Sequence, residues 1–172
     1  MSRETEDDAY AAFVEEAWPR HLRTATLIAG NRDLGEELLQ DCLVKLYVRW
    51  QRVSVDDPHA YLRRMLVNGN ISRWRRFRRE TLTAEIPEPA SGHSGPADDD
   101  TADALHRALR ALPLKQRAVV VLRYVEDLTE KDTAAVLGCS VGTVKSHHAR
   151  AMTRLRTVLS GTWWKHQEVA AR

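Results

Sequence analysis

Leu128 to Arg156 reads LTEKDTAAVLGCSVGTVKSHHARAMTRLR, and its punctuation predicts two helices joined by a tight turn. Thr129, with Asp132 three residues on, resembles a capping box that opens the first helix. Gly138 fits the left-handed position that closes it. Ser140 then caps a second helix, on which Val144, His148, Ala151, Leu155 and Val158 share one face. That periodicity turns His148 inward as a packed histidine and leaves His147 at the edge, within reach of a phosphate. The opposite face carries Gly142, Lys145, Ser146, Ala149, Arg150 and Arg156. Small residues allow close approach to a duplex and cations neutralise its phosphates, so the unit reads as a DNA-binding helix-turn-helix.

The rest of the chain says which kind of DNA-binding protein this is. Its 172 residues suffice for one ordinary domain or two small ones, and 43% hydrophobic content is enough to build cores. The net charge of +2 hides a segregation. Arg63 to Arg79 holds seven arginines and no acid, whereas Thr83 to Asp100 holds five acids and no lysine or arginine. This predicts a face for a polyanion and a separate acidic connector. The connector, TAEIPEPASGHSGPADDD, is too rich in proline, glycine and acid to form a core. An all-α protein of two small helical domains is therefore expected: residues 8–82, a flexible linker at 83–100, and residues 101–162.

In the first domain, Tyr10 to Ile28 predicts one helix or a broken pair about Pro19, and Gly30-Asn31 a turn. Leu34 to Trp50 predicts a helix with Leu34, Leu38, Leu39, Cys42, Leu46 and Trp50 inward. Its other side holds Glu37, Gln40, Asp41, Val44, Tyr47 and Val48. Valines and a tyrosine beside acids fit either a helix buried on two sides or a docking surface for another protein. Asp57-Pro58 opens a helix to about Arg79, with Tyr61, Leu62, Met65, Leu66 and Gly69 inward. Arg64, Asn68, Ile71, Arg75 and Arg78 recur at four- and three-residue steps as one outward stripe. Trp74 and Phe77 lie among these cations; Trp74 taken alone reads as packed inward. The cluster as a whole points to nucleic acid, because so many like charges on one helix call for a neutralising partner.

In the second domain, Asp103 to Leu112 predicts a helix, and Pro113 fits the first turn of the next, which carries Val119, Leu122 and Val125. With the helix-turn-helix this makes four helices. Cys42 and Cys139 read as small buried thiols. No run reaches membrane-spanning length and the first residues are acidic, so a cytoplasmic protein without membrane insertion is expected. Trp163 and Trp164, in the tail, are expected to pack on the last helix.

Three stretches together resemble the extracytoplasmic-function sigma factors, the minimal two-domain relatives of the main bacterial sigma factor, and within them the actinobacterial sigma-E-like subgroup. They are LGEELLQDCLVKLYVRW (Leu34–Trp50), DDPHAYLRRMLVNGNISRWRR (Asp56–Arg76) and ALPLKQRAVVVLRYVEDLTEKDTAAVLGCSVGTVKS (Ala111–Ser146), within a similarity spanning nearly all of Ala12 to Leu159. The resemblance implies that the Leu34–Trp50 helix docks on core RNA polymerase through Glu37, Gln40, Asp41, Val44 and Val48. It implies that the following loop and helix open the −10 promoter element and capture a flipped base, with Arg64 and Asn68 foremost and Arg73, Arg75 and Arg76 on phosphates. It implies that the helix-turn-helix reads the −35 element through Thr143, Lys145, Ser146, Ala149 and Arg150. Many relatives have Arg and an aliphatic residue where this chain has His147 and His148, which bears on the target sequence rather than on the reader role. The resemblance also implies an anti-sigma partner, and a linker that threads polymerase channels, although a plain spacer would share its composition.

Two other readings compete. A helix-turn-helix regulator that does not bind core polymerase would share the second domain but leaves the arginine stripe of the first unexplained. An enzyme would need a site, and no Cys-x-x-Cys, His-Glu-x-x-His, phosphate-cradling glycine loop or suitably spaced carboxylate pair occurs. No catalytic residue, metal or cofactor is therefore expected.

Overall fold

The computed structural model describes residues 3–53, 56–81 and 100–170, with side chains over 4–53, 56–79 and 104–160. The described residues form helices and connecting turns without a strand. The chain divides into two compact units, Met1–Ala90 and Ser91–Arg172. The acidic stretch lies outside the described residues except for Asp100, where a helix begins.

The first unit opens with α1 (Arg3–Ala29), whose first turn carries Glu4 and Glu6 at the positive end of the helix dipole. Pro19 neither breaks nor ends it. Phe13, Ala17, His21, Thr24, Ala25 and Ile28 are buried at helical spacing on both sides of the proline. Burial along one continuous face outweighs a local cost of roughly 3 kcal/mol. Gly30, at φ +104°, ends the helix, and Asn31 caps α2 (Arg32–Tyr47) by accepting from the Leu34 amide at 2.8 Å. A Cβ on Gly35 would stand 2.6 Å from the Thr26 Cα, so glycine lets α1 and α2 touch backbone to backbone.

The Leu34–Trp50 helix is shorter than the sequence predicts. It stops at Tyr47, and Trp50 starts a one-turn helix, α3 (Trp50–Val53). Trp50 is buried all the same, its ring 5.2 Å from Tyr10 and 4.9 Å from Phe13 between centroids. Leu34, expected inward, is exposed, because in the first turn of α2 it is Gly35 that faces α1, and Leu43 takes a core place instead. Asp57 then caps α4 (Pro58–Thr81), accepting from the Ala60 amide at 2.9 Å. Leu62, Leu66 and Val67 are fully buried. Buried Asn70 donates to the Ile28 carbonyl at 3.0 Å, meeting an acceptor left open at the end of α1.

The second unit holds α5 (Asp100–Arg110), α6 (Leu114–Tyr124), α7 (Glu130–Leu137) and α8 (Val141–Ala170). Pro113 stands just before α6, so its missing N–H costs no helical bond. The α7–α8 junction follows the predicted caps. Thr129 accepts from the Asp132 amide at 3.1 Å, Gly138 is left-handed at φ +62°, and Ser140 accepts from the Thr143 amide at 3.1 Å. Buried Arg117, unremarked in the sequence, donates to the Arg110 and Leu112 carbonyls at 3.0 and 3.3 Å and so closes the α5–α6 turn. α8 continues to Ala170, while the side chains of Trp163 and Trp164 lie outside the described residues.

Candidate nucleic-acid interface

Burial of Leu38, Leu39, Cys42, Leu43 and Leu46 fixes the rotation of α2. Its other face, with Glu37, Gln40, Asp41, Val44 and Val48, is exposed. Val44 is 64% and Val48 81% exposed, which excludes a helix buried on two sides and leaves apolar surface in water. Next to Val44 and Tyr47, the side chains of Tyr10, Val14 and Trp18 from α1 line a shallow apolar cleft. Burial pushes the Cys42 thiol up to about 11, against a smaller opposing effect of Lys45, so it is an inert thiol at neutral pH. Burial, then Tyr47, raises the Tyr10 phenol, which donates to the Leu43 carbonyl at 2.6 Å.

Between α2 and α4 runs a groove of about 770 Å³. It brings Glu37 and Asp41 of α2 together with Arg64, Asn68, Arg73 and Arg76 of α4. Arg75 is exposed but does not line it. Glu37 and Arg73, given different roles in the sequence analysis, are paired to each other across the groove. Lys45 and Arg49 also line it, and Arg49 donates to the Tyr61 hydroxyl at 3.0 Å. These two basic residues were missed because only the fold brings α2 and its C-terminal turn against α4.

Trp74 is not packed inward: it is 44% exposed, and Phe77 is 52% exposed. Trp74 lies seven residues beyond buried Val67, on the same side of α4, but from Trp74 to Arg79 every side chain is exposed. The helix outruns the core that would have covered it. The Arg78 guanidinium carbon sits 5.2 Å from the Trp74 ring centroid. Cations and two half-exposed rings near one helix end suit unpaired bases and their phosphates.

In the second unit, Val144, Ala151 and Leu155 anchor α8, and Thr143, Lys145, Ser146, Ala149 and Arg150 are all exposed. Lys145 forms a surface pair with Glu130 of α7 at 3.7 Å, and the Thr143 and Ser140 hydroxyls are 2.9 Å apart at the helix cap. His148 is not a core residue. It is half-buried, its ring stacks on Tyr124, and its Nε2 lies 2.8 Å from the Tyr124 hydroxyl. Val144 and Ala151 fill the core on either side, leaving the polar ring at its margin.

Residues 102–155 match the model of the family described as sigma-70, region 4. The chain is 40% identical over 147 residues to the RNA polymerase sigma-E factor of Streptomyces coelicolor, covering 80% of this chain and 78% of that one. It is 34% identical over 139 residues to the ECF RNA polymerase sigma factor SigM of Mycobacterium tuberculosis, covering 80% and 70%. The chain belongs to the extracytoplasmic-function RNA polymerase sigma factors. A solved structure, the sigma factor RpoE of Bartonella quintana in complex with the anti-sigma factor NepR, matches at a TM-score of 0.76 and 27% identity. It covers 88% of this chain and 97% of that one.

Membership decides between the sequence readings: this is a sigma factor, a transcription initiation factor, and not a regulator that works apart from core polymerase. No described helix is long and apolar enough to cross a membrane.

Proposed function

We propose that this sigma factor divides its work between its two units. Residues 8–82 dock on core polymerase through Glu37, Gln40, Asp41, Val44 and Val48. The same unit holds the parted −10 strand through Arg64, Asn68, Arg73, Arg75 and Arg76, with Trp74 and Phe77 as stacking surfaces. Residues 101–162 read the −35 duplex through Thr143, Lys145, Ser146, Ala149 and Arg150, and residues 83–100 tether the two. The observation that carries this reading is the uncovered acidic–apolar face of α2 beside the arginine-rich, ring-bearing end of α4. A duplex reader alone has no use for either.

The protein's part is assembly and discrimination, and the chemistry of RNA synthesis belongs to polymerase. Two weak readers on one tether gain affinity through effective concentration. An anti-sigma protein is a further proposed partner, by analogy with the complex of the Bartonella relative, and the proposed site of action is the cytoplasm. Run-off transcription with core polymerase on a genomic library tests the whole. Discrete start sites preceded by a shared pair of elements are expected; RNA without start-site specificity, from inhibitor-free protein, would overturn the assignment.

A further inference from the structure

Glu37, Asp41 and Lys45 follow one another at four-residue steps on α2, and Arg49 makes the next step in the turn after it. All four line the groove against α4. Gln40 and Val44, a second such series, line the apolar cleft against α1 instead. The stripe facing the groove changes sign along its length, acidic at Glu37 and Asp41 and basic at Lys45 and Arg49. Two contacts fix how it meets α4. Glu37 pairs with Arg73, and Arg49 donates to the Tyr61 hydroxyl at 3.0 Å. The order is reversed along the two helices, so the acidic end of the stripe lies by Arg73 and Arg76 and the basic end by Tyr61 and Arg64. At the first end two acids are matched by two arginines. At the second, Lys45, Arg49 and Arg64 are all exposed, and among the described residues no carboxylate pairs with any of them. Glu6 and Asp7 of α1 share a separate cleft with Arg49 but accept from Gln51 and Tyr47, each at 2.7 Å, and Asp57 caps α4.

A groove end with three cations and no counter-charge draws an anion. Which anion follows from what the groove continues into. Asn68, Arg73 and Arg76 line it further along α4 and belong to the face proposed to hold the parted −10 strand. We propose that Lys45 and Arg49 are contacts to that strand and that, with Arg64, they seat its backbone phosphates. α2 then serves two partners by angle: its α4 side carries DNA, while the side with Gln40, Val44 and Val48 carries polymerase. The Tyr61 hydroxyl takes one of the five guanidinium N–H groups of Arg49, which holds the fork at the groove and leaves the others for phosphate oxygens. Such contacts set where the strand lies and carry no sequence information, so base reading stays with α4. This inference rests on the reading of α4 as the strand holder, and it places two residues of the docking helix and its C-terminal turn in the DNA contact.

The test uses holoenzyme assembled from the full chain and core polymerase, with a fluorescein-labelled single strand carrying the −10 element of a promoter that the protein transcribes. Anisotropy reads affinity between about 50 and 200 mM salt. Each phosphate contact on a single strand contributes about 0.7 to the slope of log affinity against log salt. K45A and R49A should therefore each lower the slope by about 0.7, and the double variant by about 1.4. K45R and R49K, which keep the charge, should keep the wild-type slope. The double variant should weaken the −10 strand and a scrambled strand by the same factor, on the order of tenfold. Its binding to core polymerase without DNA should stay within about threefold of wild type. A wild-type slope for the double variant, or a loss of core binding in place of strand binding, would overturn the phosphate seat; a slope still lowered by R76A would then leave the strand-holding reading of α4 standing. A slope that R76A and the double variant both leave unchanged would overturn that reading and the seat with it.

Discussion

Replacing Asp41 and Val44 together by lysine should uncouple this sigma factor from core polymerase without unfolding it. Both residues are exposed on α2, with Val44 64% exposed. Neither supports the core, so a change in folding stability within about 0.5 kcal/mol is expected. Fully burying a valine is worth roughly 1.5–3 kcal/mol, and Val44 has about two thirds of that still to gain on docking, or about 1–2 kcal/mol. A lysine in its place loses this and must be desolvated without a partner, which costs on the order of 2–3 kcal/mol more. The sum, about 4 kcal/mol, corresponds to about a thousandfold weaker binding. Fluorescence titration of labelled sigma factor with core polymerase measures the loss, and circular dichroism melting checks the fold. A folded double variant that binds within about threefold of wild type, well under 1 kcal/mol, would refute the docking face.

Arg150→Ala should weaken −35 duplex binding by about 1–3 kcal/mol in an anisotropy assay, with an unchanged value counting against the groove assignment. Trp74→Ala should cost about 1–3 kcal/mol in binding a single-stranded −10 oligonucleotide held on the assembled holoenzyme; since the ring is 44% exposed and outside the core, folding stability should fall by no more than about 1 kcal/mol. Gly35→Ala should destabilise the first unit by about 1–3 kcal/mol in urea denaturation, since its methyl group would meet the Thr26 backbone at 2.6 Å. The folded-state value of Cys42 lies above that of an unfolded thiol, so the unfolded chain gives up this proton first. The contribution of Cys42 to stability is therefore complete below about pH 9 and lost as pH rises toward about 11, while thiol-reactive reagents at neutral pH should modify Cys139 before it.

The parts of the fold legible in the chain are those whose cause lies within a few residues. Thr129, Gly138 and Ser140 act on amides or dihedrals at most three positions away, and they mark the helix-turn-helix without knowledge of anything else. Asp57 does the same for α4. Which residues share the outer side of α2 follows from periodicity; that this side is uncovered is decided by the fold. Trp74 and His148 were read inward because periodicity gives the side of a helix on which a residue lies, but not whether a neighbour reaches that far. α4 outruns its core at Trp74, and at His148 the core has already been filled by Val144 and Ala151.

By itself, then, the order of amino acids determined an all-helical chain, the caps that start and stop its helices, and which residues share a side of α2 and of α8. These depend on propensity, capping and period, which act over one or two turns. Only the tertiary structure decided that Glu37 meets Arg73 across 36 positions and that Arg49 and Lys45 join the α4 arginines in one groove. Electrostatic partnership follows distance in space, and that distance is set by how α2 packs on α4 and α6 on α8, by the glycine that lets α1 and α2 touch, and by where each helix ends relative to its neighbours.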